Sequence, residues 1–164
     1  MDIGRWWERN RDLLIAAVVA SLVAGIPCGL LSRVAMSVIA GAGGDSTQAP
    51  VGQLTLPGTL RIVAVPMLFG IPFALLIVWL GQRFWRQRPT VVRAALYALA
   101  SLIVPGLILM SDSEFNIPGA NQDIGRLAFV PAYLAYGLVA GFVGEWWLAK
   151  RANSAVRPEA ARVR

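Results

Sequence analysis

The sequence predicts an all-α polytopic membrane protein, an up-down bundle of four transmembrane helices. Three observations carry that expectation. Four apolar stretches, near 13–40, 60–81, 91–110 and 125–148, each match the ~20 residues a helix needs to cross a bilayer. The connections between them alternate between arginine-rich and arginine-poor. All six tryptophans fall at the arginine-rich ends of the stretches. Charged residues make up 15% of the chain, well below the ~25% usual in soluble domains.

Residues 1–12 form a basic tail ahead of the first stretch, with Arg5, Arg9 and Arg11. This resembles the start of a secretion signal. The apolar run that follows is too long, and no small-x-small cleavage site closes it, so it reads as a retained span. Cys28 follows Gly25-Ile26-Pro27, which spoils a lipoprotein-type site. Within this span Ala17, Ser21, Gly25, Gly29, Arg33, Ser37 and Gly41 form one i+4 row. Small residues at that spacing make a groove that another helix can enter closely.

The loop at 41–59 is rich in Gly, Ser, Thr, Gln and Pro and carries one acid, Asp45. The second span, 60–81, opens with Arg61 and contains Pro66 and Pro72. The connection at 82–90 is short and basic, which implies antiparallel neighbours. The third span, 91–110, contains Pro105. The loop 111–124 is acidic, with Asp112, Glu114 and Asp123. The fourth span, 125–148, opens with Arg126, contains Pro131, and carries a second small-residue row. That row is Tyr133, Gly137, Gly141 and Glu145, flanked by Tyr136, Ala140 and Gly144. Spans one and four are expected to pack through Ser21, Gly25 and Gly29 on one side and Gly137, Gly141 and Gly144 on the other, or to use one of these faces for self-association. Residues 149–164 form a second basic tail.

Of fifteen Lys and Arg residues, twelve flank one side of the spans; only Arg33, Arg61 and Arg126 lie toward the other. Positive charge gathers on the cytoplasmic side, so both termini are expected there. The net charge of +6 then reads as topology and attraction to anionic headgroups, not as a nucleic-acid surface. Glu145, one turn inside the basic end, is expected to pair with Arg93 or Lys150.

A faint repeat supports a 2+2 parallel arrangement. Arg61-Ile-Val-Ala-Val65-Pro66 returns as Arg126-Leu-Ala-Phe-Val130-Pro131, and Ala20-Ser21-Leu22-Val23 as Ala100-Ser101-Leu102-Ile103. Two hairpins of like orientation would be related by an axis along the membrane normal. Proline in every span predicts kinks.

One cysteine and no histidine exclude disulfide frameworks, thiolate zinc sites and histidine-based acid–base chemistry within one chain. Asp112, Glu114, Asn116 and Asp123 fall at positions 1, 3, 5 and 12 of a calcium-loop frame, but Ile117 holds the turn position that needs glycine. No metal and no cofactor is expected. Arg33, Arg61 and Arg126 make a candidate anion site on the outer side, or a structural ion-pair network with Asp112, Glu114 and Asp123. Guanidinium groups suit carboxylate and phosphate geometry.

Gly29-Leu-Leu-Ser-Arg33-Val-Ala-Met36, Gly58-Thr59 and Glu114-Phe-Asn116 resemble segments of a family of small four-helix integral membrane proteins of bacteria, one with no established activity. The resemblance implies a bacterial cytoplasmic membrane, and the high Arg and Ala content fits a GC-rich bacterium. The first two segments are also similar to dimeric fluoride channels. The asparagine of that family's second span is replaced near Val63, and its Thr-Thr-Phe-Ser element is missing, so conduction of fluoride does not carry over.

The expectation is therefore a non-enzymatic module in the bilayer, acting as an accessory, scaffolding or self-associating subunit. Its partners would be lipid and a second membrane protein or another copy. The alternative is a small transporter or channel with an outward arginine-lined vestibule.

Overall fold

The computed structural model describes residues 3–41, 55–106 and 122–162. Every regular element among them is helical. α1 runs from Ile3–Gly41, α2 from Leu56–Phe69, α3 from Ile71–Leu80, α4 from Thr90–Ser101 and α5 from Gln122–Arg162. Single π-helical turns, Gly81–Trp85 and Leu102–Gly106, extend α3 and α4. Both expected tails continue into helix: α1 begins at Ile3 and α5 reaches Arg162.

The prolines do not all kink. α1 passes through Pro27 without a break, and α5 carries Pro131 inside one continuous helix. The second span breaks instead: α2 and α3 meet at 48°. Pro66 and Pro72 lack the N–H groups that the carbonyls of Ile62 and Leu68 would accept. Gly70 sits between them, and helical bonding resumes on either side, with Gly70 N–H donating to Pro66 O at 3.1 Å and Ala74 N–H to Gly70 O at 2.8 Å. Pro105 similarly lies in the widened turn that closes α4. The two copies of the Arg-x3-Val-Pro repeat thus differ: Pro66 precedes an elbow and Pro131 does not, because only the first is followed by Gly70 and Pro72.

Four full spans were expected. Among the described residues two helices are long and apolar enough to cross a bilayer, Asn10–Ala40 and Leu127–Ser154, and a third crossing arises if the bent pair Leu56–Phe69 and Ile71–Trp85 is one span. The third stretch appears as the shorter apolar helix Thr90–Val104.

Residue pairs set the directions. Gly25 meets Met67 while Gly29 meets Val63, so α1 and α2 are antiparallel. Gly70 meets Tyr136 while Val78 meets Gly144, so α2–α3 and α5 run together. Tyr97 meets Gly141 while Ser101 meets Gly137, so α4 opposes α5.

The main core joins Ala16, Ala20, Ala24 and Cys28 of α1 to Ala74, Ile77 and Val78 of α3, Tyr97 of α4, and Ala132, Tyr136 and Ala140 of α5. Alanine and glycine bring helix axes close, the packing that serves helices without a hydrophobic drive between them. A second cluster, Ala35, Ile39, Phe129 and Tyr133, lies toward the other end. The outside is apolar. Val18, Leu22, Ile26, Leu30, Val34 and Val38 form an exposed i+4 ridge along α1. Twenty residue steps at ~1.5 Å make this ridge ~30 Å long, the thickness of a bilayer's hydrocarbon core.

Candidate functional site

The buried polar groups fall at three levels. The middle level is the α2–α3 elbow. Ser21 on α1 and Tyr136 on α5 are both buried and face it. Tyr136 Oη donates to Gly70 O at 2.7 Å. Ser21 Oγ lies 3.0 Å from Met67 O, 3.3 Å from Pro66 O and 2.9 Å from Tyr136 Oη. Each hydroxyl has one proton. With the tyrosine proton on Gly70 O, the serine proton goes to Met67 O or Tyr136 Oη. Helices on both sides thus supply donors to carbonyls at a bend, where backbone groups have no water to bond. Gly70 permits the approach: a methyl there would press on Tyr136 Oη and Pro66 O and lie 2.8 Å from Tyr136 Cζ.

The second level lies toward the basic end. Tyr97 is fully buried. Gly81, Gly137 and Gly141 surround it, and a methyl at Gly141 would lie 2.8 Å from its Cδ1. The rings of Trp85 and Phe142 meet it edge-on, with centroids 5.3 and 6.0 Å away. Its hydroxyl donates to Glu145 Oε1. Arg93 Nη2 is 3.4 Å from Glu145 Oε2. Each carboxylate oxygen therefore has its own partner, and the charge is neutralised by Arg93, one of the two partners its position allows. Close by, Ser101 Oγ donates to Tyr133 O across the α4–α5 contact and also lies 3.0 Å from Ala98 O.

The third level is the opposite end. Arg33 is half-buried, and its guanidinium lies beside Gly58 on the first turn of α2; a methyl at Gly58 would be 3.1 Å from Arg33 Nη2. Ser37 Oγ donates to Arg33 O at 3.1 Å. Arg61 is exposed. It stands one turn after Gly58, the residue beside the Arg33 guanidinium. Arg126 and Asp123 lie on the opening turns of α5, but their side chains are outside the described set; Asp112 and Glu114 lie outside the described residues.

The small-residue rows pair differently from expectation. α1 and α5 do pack along each other, in the most extensive helix contact of the fold, but the closest neighbours of Gly25 and Gly29 are Met67 and Val63 of α2. Gly137 and Gly141 seat Ser101 and Tyr97 of α4, and Gly144 seats Val78 of α3. Ser21 of that set bonds to α5, through Tyr136. Sequence reasoning passed over Tyr97 and Gly70. The signals were present: Pro66-x3-Gly70-x-Pro72 marks a break, and an i+4 glycine pair leaves room for a ring.

Comparison with protein-family models, with curated proteins and with solved structures gave no match. The geometry stands by itself. An all-helical chain with two or three helices able to cross a bilayer, and a ~30 Å apolar ridge turned outward, is built for a membrane.

Proposed function

We propose that this chain is a non-enzymatic, four-crossing protein of a bacterial cytoplasmic membrane, with both termini on the cytoplasmic side. It acts by helix packing, as an accessory or scaffolding subunit or by self-association. One observation carries the reading. The buried hydroxyls of Ser21, Tyr136 and Ser101 all serve the backbone of a neighbouring helix. With the glycines also seating neighbours, the centre is a joint and not a reaction chamber. The glycine faces are occupied within the chain, so a partner would meet the outer ridge of α1 or the α5 surface.

Purification of a tagged copy from its native membrane in mild detergent, followed by mass determination, tests it. A companion at fixed stoichiometry, or a defined multiple of this chain, is expected. A lone monomer under several lipid-preserving conditions would overturn the proposal.

A second reading, an outward anion vestibule of Arg33, Arg61 and Arg126, is favoured by one contact. The Arg33 guanidinium lies against the first turn of α2, where the helix dipole is also positive. Changing all three arginines to Gln should abolish anion flux in liposomes; flux that survives the change rules this reading out.

A further inference from the structure

We propose that the exposed Lys150–Trp146 face of α5, near its basic end, binds the phosphate of an anionic phospholipid. This face is formed by Trp146, Ala149, Lys150, Asn153 and Ser154, all exposed. These residues recur every three or four positions, so they form one stripe of the helix.

Its chemistry is one-sided. Lys150 Nζ stands 5.1 Å from the centre of the Trp146 ring. Behind it, the Arg151 guanidinium lies 5.8 Å from that of Trp147. These indoles hold two cations at one level. The sole acid between Leu127 and Ser154 is Glu145, and its carboxylate is taken by Tyr97 and Arg93. Ser154 Oγ donates to Lys150 O at 2.9 Å, which leaves the ammonium as the charged donor of this face. A compact ammonium is a good point-charge partner for phosphate.

The surroundings point to a lipid headgroup over a free anion. Trp146 is 57% exposed, although it is a large apolar ring. Tryptophan at this depth sits at headgroup level, half in hydrocarbon. Toward the membrane centre the helix turns inward, with the Phe142 ring against Tyr97 and Val139 packed on the main core, so Trp146 marks the last lipid-facing ring of this stripe.

The inference rests on the bilayer reading, and one experiment separates the two. The protein is reconstituted into phosphatidylcholine vesicles containing acyl-brominated phosphatidylglycerol or acyl-brominated phosphatidylcholine. The difference in tryptophan quenching between wild type and Trp146→Phe isolates the Trp146 signal. A single lysine at an anionic surface should give about a fivefold preference for the brominated phosphatidylglycerol. Lys150→Gln, at an exposed position, should remove that preference without altering the fold. Equal quenching by both lipids, or a preference that survives Lys150→Gln, overturns the site. Loss of the preference on adding inorganic phosphate reassigns it to a free anion and overturns the lipid. No quenching by either lipid overturns the bilayer reading itself.

Discussion

The Tyr136 hydroxyl on α5 donates to the Gly70 carbonyl at the α2–α3 elbow over 2.7 Å. Ser21 on α1 stands 2.9 Å from the same hydroxyl. Three parts of the chain far apart in sequence are tied at one point, and that point is the single sharp break between α2 and α3.

Tyr136→Phe and Ser21→Ala should each destabilise the bundle. Interhelical hydrogen bonds in membranes contribute about 0.6 kcal/mol on average and up to about 1.7. The double variant should lose less than the two single losses combined, because both hydroxyls serve one elbow. Reversible unfolding in mixed micelles measures this. Strictly additive losses would show that the two hydroxyls act apart.

Gly70→Ala should cost more than either hydroxyl. The added methyl would press on Tyr136 Oη and Pro66 O, and overpacking of this kind costs about 1–3 kcal/mol. Combining Gly70→Ala with Tyr136→Phe should recover part of the loss, since the phenolic oxygen is then gone. The same unfolding assay reads it, and no recovery would place the strain in the backbone instead.

Gly29→Leu and Gly141→Leu should lower the stability of the single chain. At Gly29 a methyl would already lie 2.5 Å from Val63 Cα, and at Gly141 it would meet the Tyr97 ring. Thermal aggregation of detergent-solubilised protein should begin several degrees lower for both. If only the mass of the assembly changes, with thermal behaviour intact, the glycines face another copy and not α2 and α4.

Glu145→Leu should be more damaging than Glu145→Gln. Leucine leaves both Arg93 and the Tyr97 hydroxyl without an acceptor, whereas glutamine keeps one. Pairing Glu145→Gln with Arg93→Gln should be milder than Arg93→Gln alone, which strands a partly buried carboxylate. Folded yield after purification ranks the four variants, and the reverse order would mean that the pair is solvated.

Much of this was legible in the sequence, because lipid imposes length. The stretches near 13–40 and 125–148 mark α1 and α5 well, and Glu145 could reach Arg93 from its place one turn inside the basic end. Partners were harder to read. An i+4 row such as Ser21-Gly25-Gly29 defines a face, but not how neighbours share it: α1 packs on α5 as expected, while α2 makes the closest approach at Gly25 and Gly29. Proline was also ambiguous. Pro27 and Pro131 sit in unbroken helices, while Pro66 needs Gly70 and Pro72 beside it to make an elbow. Tyr97 was harder to place: the Gly137–Gly141 pair leaves room for a ring, but nothing local says which ring fills it, and Gly81 closes the cradle from another helix. Of the outer arginine set, Arg33 touches α2 and Arg61 is exposed. Asp112 and Glu114 fall outside the described residues.

The proposed function, the outer vestibule and the lipid seat all depend on four crossings with the basic ends together in the cytoplasm. Single cysteines test this directly. On a Cys28→Ala background, one cysteine each would replace Gln48, Gln87, Asn116 or Ser154. Intact cells would then be exposed to a membrane-impermeant maleimide. The account predicts labelling at 48 and 116 in intact cells, and at 87 and 154 only after permeabilisation. Protection at 116 until permeabilisation would show that Thr90–Val104 does not belong to a crossing, and the four-helix topology would fall.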